Sequence, residues 1–256
     1  MGSLPPPHAP LRIAVLECGQ PPDPLKEKYG GFGRMFEALL QRGAQRVADN
    51  AHEPPVEIDV SVYEVVDAEH YPALDDVDGV LLTGSKYNAF DNDPWILKLV
   101  EFTKEVLAQR RVRLIGVCFG HQIIGRAMGM EVGRNDAGWE IAVVPHTLTE
   151  KGKELFGVEE LSLHQMHRDI VFQHPPGVEP LARTSACAVQ GMYVPQRLIA
   201  VQGHPEFNGE ITAMISEMRY AQGIFAQADY EDAMRRVHGK HDGDVVAGAF
   251  VRFMLE

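Results

Sequence analysis

Along this chain, short apolar runs alternate with segments whose apolar residues recur every three or four positions. Leu11 to Leu16 is an apolar run suited to a buried parallel strand, which is covered on both faces. Glu17 to Tyr29, heavy in proline and charge, reads as a loop. Gly30-Gly31-Phe32-Gly33 then opens a helix whose inward face is Met35, Phe36, Leu39 and Leu40. Ile58, Val60 and Val62 alternate with polar residues as a second strand, and Val77 to Leu82 gives a third that ends in Thr83-Gly84-Ser85-Lys86. Asp93-Pro94 sets a capping residue and a first-turn proline ahead of a helix. That helix carries Ile96, Leu99, Val100, Val106 and Leu107 toward the sheet. Val112 to Val117 is a fourth strand, and Ile123, Ile124, Ala127 and Met128 follow it at helical spacing.

After Gly138-Trp139 the pattern shortens. Ile141 to Val144, Leu161 to Leu163, Asp169 to Phe172 and Leu181 to Ala188 read as short strands with tight turns. Leu198 to Gln202 returns to a buried strand, and helical segments follow around Ile211 to Tyr220, Tyr230 to Val237 and Val245 to Leu255. Strands separated by helices predict an α/β fold: a doubly wound, mainly parallel sheet with helices on both faces, plus a small additional β section. No repeat, linker or charge block divides the chain, so residues 11–256 are expected to form one domain behind a disordered lead-in over residues 1–10.

Composition narrows the classes of function. The formal net charge is −12, which argues against a face that binds the phosphate backbone of nucleic acid. The three cysteines, Cys18, Cys118 and Cys187, are too few and too odd for a disulfide framework and suit a reducing compartment. Pro5-Pro6-Pro7 and Pro10 stand where a signal peptide would carry basic and apolar regions. No apolar run approaches the ~18 residues that span a bilayer. A cytoplasmic protein with neither a membrane nor a nucleic-acid partner is expected.

The candidate chemistry centres on Gly116-Val117-Cys118-Phe119-Gly120-His121-Gln122. Here a cysteine stands at a sharp strand-to-helix turn, with glycines where a side chain would crowd the backbone. This is the pattern of a nucleophile elbow, with Cys in place of Ser. A helix N-terminus favours the thiolate. The heptad alone fits a small buried cysteine equally well. The second motif, Gly203-His204-Pro205-Glu206, breaks the tie. It leaves another strand at its carboxyl end, the edge where open α/β sheets bind ligands. His204 suits the general acid and base that a Cys nucleophile needs, and Glu206 the carboxylate that fixes its tautomer. Alone, His-Pro-Glu would be a surface turn. The N–H groups of Gly84 and Phe119 are candidates for an oxyanion hole, for which a plain αβ turn is the simpler alternative. Gly31-x-Gly33 lacks the third glycine of a dinucleotide loop, and its turn from the strand is too long.

The two motifs together resemble the class I glutamine amidotransferase family. The likeness extends over about residues 11 to 215, through Tyr29-Gly30-Gly31, Thr83-Gly84-Ser85, Val132-Gly133-Arg134, Gly138-Trp139, His167-x-Asp169 and Gln202 to Asn208. It is similar to stand-alone members, including γ-glutamyl peptidases and fungal amidotransferase-like proteins. The resemblance implies a flavodoxin-like architecture and a Cys118-His204-Glu206 triad. It also implies substrate contacts from Ser85, Gln122, His167 and Asp169, the last two on a loop beside the substrate. Many amidotransferases carry two or three glycines in the oxyanion loop. Here Gly84-Ser85-Lys86 stands instead, as in the peptidase-like branch.

His164 and His167, three apart, would suit metal ligands on a helix, but no third ligand is evident and the resemblance gives His167 another role. No metal or organic cofactor is expected. Cys18 and Cys187 are expected to be structural, and Trp139 to pack near the pocket rim. The implied function is hydrolysis of the γ-glutamyl amide of glutathione or a glutathione conjugate, the partner being a small γ-glutamyl molecule. Two alternatives stay open: a glutaminase passing ammonia to a separate synthetase subunit, and a binding or regulatory module whose triad is vestigial.

Overall fold

The computed structural model describes residues 9–256, so most of the expected lead-in lies outside the described residues. The first half alternates strand and helix: β1 (Leu11–Glu17), α1 (Asp23–Tyr29), α2 (Phe32–Ala51), β2 (Ile58–Glu64), β3 (Gly79–Leu82), α3 (Pro94–Ala108), β4 (Arg113–Val117) and α4 (Phe119–Ala127). Short strands then dominate: β5 (Val132–Arg134), β6 (Glu140–Leu148), α5 (Glu150–Phe156), β7 (Leu161–His167), β8 (Asp169–Val171), β9 (Glu179–Pro180), β10 (Ala182–Arg183), β11 (Gly191–Val194) and β12 (Leu198–Val201). Three helices end the chain: α6 (Gly209–Ala221), α7 (Gln227–Arg236) and α8 (Gly243–Leu255).

The main sheet has the order β2-β1-β3-β4-β12-β11-β9. Its first five strands pair in parallel, and β11 and β9 extend the far edge antiparallel. Side chains alternate across it as a two-residue period requires. Ile13, Val15, Ile115 and Val117 join the core made with α2 and α8, whereas Ala14, Leu16 and Leu114 join the core made with α3 and α4. The doubly wound, mainly parallel sheet read from the sequence is therefore present. The additional β section is a three-stranded sheet, β10-β6-β7, and a two-stranded one, β5-β8.

Three local expectations are corrected. The proline-rich stretch after β1 is not all loop: α1 forms there because Pro24 sits in the first turn, where a missing N–H does no harm, and Leu25 is fully buried. The strand expected over Leu181 to Ala188 shrinks to β10, since Thr184 turns the chain by accepting from the Cys187 N–H at 3.0 Å. β6 runs on to Leu148, and α5 follows it, capped where the Thr149 side chain accepts from Gly152 N at 3.0 Å. The helix cap expected at Asp93 holds by position, but its side chain makes no capping bond.

Candidate active site

Three neighbouring parallel strands, β3, β4 and β12, deliver the site from their carboxyl ends. Cys118 joins β4 to α4 with φ 53° and ψ −103°, a backbone conformation that a non-glycine residue seldom adopts. Such strain persists only where its surroundings hold it in place. Here the Cys118 N–H donates to Val201 O at 3.0 Å, and Gly120 N–H donates to Thr83 O at 3.1 Å. These bonds lash the elbow to both neighbouring strand ends. A Cβ on Gly120 would collide with the Leu82 backbone, and one on Gly116 with Ile124 and Gly120. The glycines of the motif are required by close approach, as the sequence suggested.

His204 and Glu206 leave the end of β12. The Nδ1 of His204 lies 2.7 Å from Glu206 Oε1, and both residues are buried. The ring stacks on Phe207 with centroids 4.0 Å apart and planes 9° from parallel. Its backbone N–H is held by His164 O at 2.8 Å. Burial alone would lower the pKa of His204, but the facing charge of Cys118 and the carboxylate of Glu206 push it up to about 10. The His204 ring and Cys118 Cβ both lie within 4 Å of the point a Gly84 Cβ would occupy. Cysteine, imidazole and carboxylate thus meet at one end of the sheet.

Gly84 follows β3 immediately beside the ring: a Cβ there would lie 2.8 Å from His204 Cε1 and 3.8 Å from Cys118 Cβ. Among the described residues, neither Gly84 N–H nor Phe119 N–H has an acceptor. The loop is held from the residue just past β1, where Ser85 Oγ donates to Cys18 O and Thr83 Oγ1 accepts from Cys18 N at 3.0 Å. The Ser85 hydroxyl also accepts from Tyr87 N at 3.2 Å, so this side chain is occupied in shaping the loop.

Cys118, His204, Gly84 and Phe119 open onto a cavity of about 860 Å³. α1 and the turn before it form one wall, and the end of α6 with its following turn forms another. These walls are tied together where Tyr29 donates to Glu210 at 2.7 Å and Lys28 pairs with the same carboxylate.

Residues 39–216 match the glutamine amidotransferase class-I family. The chain belongs to that family. A glutamine amidotransferase-like protein of Schizosaccharomyces pombe is 32% identical over 249 residues, covering 95% of this chain and 98% of its own. γ-Glutamyl peptidase 2 of Arabidopsis thaliana is 30% identical over 208 residues, covering 78% of this chain and 77% of its own. Among solved structures, a glutamine amidotransferase from Thermotoga maritima shares the fold with a TM-score of 0.69 at 14% identity, covering 97% of this chain and all of its own.

The remaining site residues of this amidotransferase-family chain are placed as follows. Gln122 borders the cavity, but its Nε2 donates to Asp169 O at 2.7 Å and to Gln202 Oε1 at 3.1 Å. His167 and Asp169 also border it, yet not from a loop: His167 ends β7 and Asp169 begins β8, with Arg168 alone between them. Strand pairing on both sides fixes them there. The His167 ring lies between Asp169 O, 3.1 Å from Nδ1, and Glu140 Oε2, 3.2 Å from Nε2. Burial opposes ionisation of Glu140, but the His167 ring holds its pKa below the ordinary value. Burial raises the pKa of Asp169, with Arg134 Nε 2.7 Å away working against it.

The helical spacing considered for His164 and His167 is not found, because β7 is a strand. Three positions apart on a strand, the two point to opposite faces. Among the described residues no three His, Cys, Asp or Glu side chains gather as a metal site needs. Cys18 and Cys187 are buried free thiols, their pKa values pushed up to about 12 by burial.

One residue escaped the sequence reading. Arg219, near the end of α6, borders the cavity with its guanidinium 4.9 Å from the Trp139 ring centroid and 5.8 Å from that of Phe225. An arginine in the last turn of a helix is unremarked in sequence, where it complements the helix dipole. Of its two aromatic neighbours, Phe225 lies in the turn just after α6 but Trp139 is 80 positions earlier, so no local signal announces the cluster.

Proposed function

We propose that this chain is a cysteine-dependent hydrolase that cleaves the γ-glutamyl amide bond of glutathione or a glutathione conjugate. The Cys118 thiolate adds to the γ-carbonyl carbon, and the resulting oxyanion is held by the Gly84 and Phe119 N–H groups. Each such donor is typically worth about 3 kcal/mol in the transition state. His204, its ring fixed by Glu206, gives a proton to the departing amine as the C–N bond breaks. A γ-glutamyl thioester remains on Cys118. Water, deprotonated by His204, then adds to the thioester, releases glutamate and restores the thiol.

The observation that carries this reading is the 2.7 Å contact from Glu206 to a His204 ring that stands with Cys118 around Gly84. Two further points support a γ-glutamyl peptide rather than free glutamine. The relatives of about 30% identity include proteins named γ-glutamyl peptidases. The cavity, at about 860 Å³, is also far roomier than one glutamine fills and suits a drug-sized ligand, for which pockets run ~300–1,000 Å³. Glutamine hydrolysis in the service of a synthetase would share the whole acyl half of the reaction. Free glutamate measured after incubation with glutathione, an S-substituted glutathione and glutamine separates the two. Activity confined to glutamine and raised by a partner subunit would replace the peptidase reading with the amidotransferase one.

A further inference from the structure

The cavity is cationic in a chain of net charge −12. Lys86, Arg134, Arg168 and Arg219 border it, against Asp23 and Asp169. Arg134 is committed to Asp169. The Arg219 guanidinium, by contrast, has neither an acidic partner nor a hydrogen bond among the described residues; what holds it is aromatic, Trp139 just before β6 and Phe225 from the turn after α6. Those two rings meet edge to face with centroids 5.0 Å apart. Cation–π contact orders a guanidinium without using its N–H groups, which remain available as a rigid fork for an oxyacid. A half-buried arginine kept ready but unpaired beside a nucleophile is costly unless a ligand anion completes it. It borders the same cavity as Cys118, so its partner would be part of the same bound molecule.

We propose that Arg219 recognises a carboxylate of the γ-glutamyl compound bound against Cys118, and so selects for substrates that carry one. The inference rests on the γ-glutamyl reading for what is bound. Two carboxylates qualify: the α-carboxylate of the glutamyl group and the carboxylate of the amine-side residue. The shared chemistry is a planar oxyacid accepting two N–H bonds.

Three probes distinguish them in the full chain bearing Cys118→Ala, which removes turnover. These are γ-glutamylglycine, γ-glutamylglycinamide, which lacks the amine-side carboxylate, and 4-aminobutyrylglycine, which lacks the α-carboxylate. Affinities are measured by calorimetry with and without Arg219→Gln. The expected result is a roughly 10–100-fold loss for γ-glutamylglycine and little loss for whichever probe lacks the carboxylate that Arg219 holds. Arg219→Lys should recover part of the affinity for the same ligands. An equal effect on all three probes, or no effect, overturns the proposal; so does failure of all three to bind. Glutamate release from γ-glutamylglycine by the unmodified chain is followed in parallel. Turnover without carboxylate discrimination defeats this inference alone, whereas discrimination without turnover defeats the hydrolase reading and leaves the carboxylate site standing.

Discussion

The carboxylate of Glu206 stands 2.7 Å from Nδ1 of His204, two residues earlier across a single proline. In the proposed mechanism this contact fixes the tautomer that leaves Nε2 for the sulfur and stabilises the imidazolium that forms beside a thiolate. Glu206→Gln keeps the shape and removes the charge. Its kcat on a γ-glutamyl amide should fall roughly 10²–10⁴-fold with far-UV circular dichroism unchanged, the range for a lost acid–base function. Full activity in this variant would remove Glu206 from the mechanism.

The raised pKa of His204 has a sign that can be tested. Its folded-state value, about 10, lies above the ordinary 6.5, so the charged ring contributes stability that is fully present below pH 6.5 and lost as pH rises to about 10. Thermal melts across that window should show stability declining toward the alkaline end. The charge of Cys118 is the largest influence raising the value, so Cys118→Ala should bring the His204 titration, followed by the NMR signal of its ring, down toward neutrality. An unmoved titration would mean that sulfur and ring are not electrostatically coupled.

Gly84→Ala should be well folded and poorly active. The new methyl group would stand 2.8 Å from His204 Cε1 and displace the ring from the sulfur. A misplacement of about 1 Å is worth about 10²-fold in rate, read as a fall in kcat at unchanged melting temperature. Retention of rate would show that the loop yields instead of the ring.

Alkylation with iodoacetamide near neutral pH should modify Cys118 and spare Cys18 and Cys187. Those two are buried, with pKa values pushed up to about 12, whereas Cys118 borders the cavity. Peptide mass mapping after brief exposure checks this. Labelling of Cys118 no faster than the other two would favour a vestigial site.

How far the sequence exposed this arrangement follows from the range of each signal. The elbow was legible because its determinants are adjacent: apolar β4, two glycines and the first turn of α4 lie within about a dozen residues. The continuous apolar runs of strands covered on both faces made β1, β3 and β12 readable as well, and alternation did the same for β2. α5 was not, since Glu150 to Glu154 carry no apolar stripe and Gly152 is kept small by the Leu181 backbone. β11 was missed for a related reason: Gly191 to Val194 is short and becomes a strand by pairing with β12. Ser85, expected to meet substrate, bonds to Cys18 and Tyr87, and Gln122, expected to do the same, commits its Nε2 to Asp169 and Gln202. Such commitments are decided by partners up to 80 positions away, which no local pattern records.

The central claim is a γ-glutamyl thioester on Cys118. Rapid acid quench of the purified chain mixed with glutathione, followed by intact and peptide mass spectrometry, tests it most directly. A γ-glutamyl adduct on the peptide containing Cys118, absent from Cys118→Ala and appearing ahead of free glutamate, is the expected result. Glutamate released at an equal rate by Cys118→Ala, or an adduct on another residue, would contradict it.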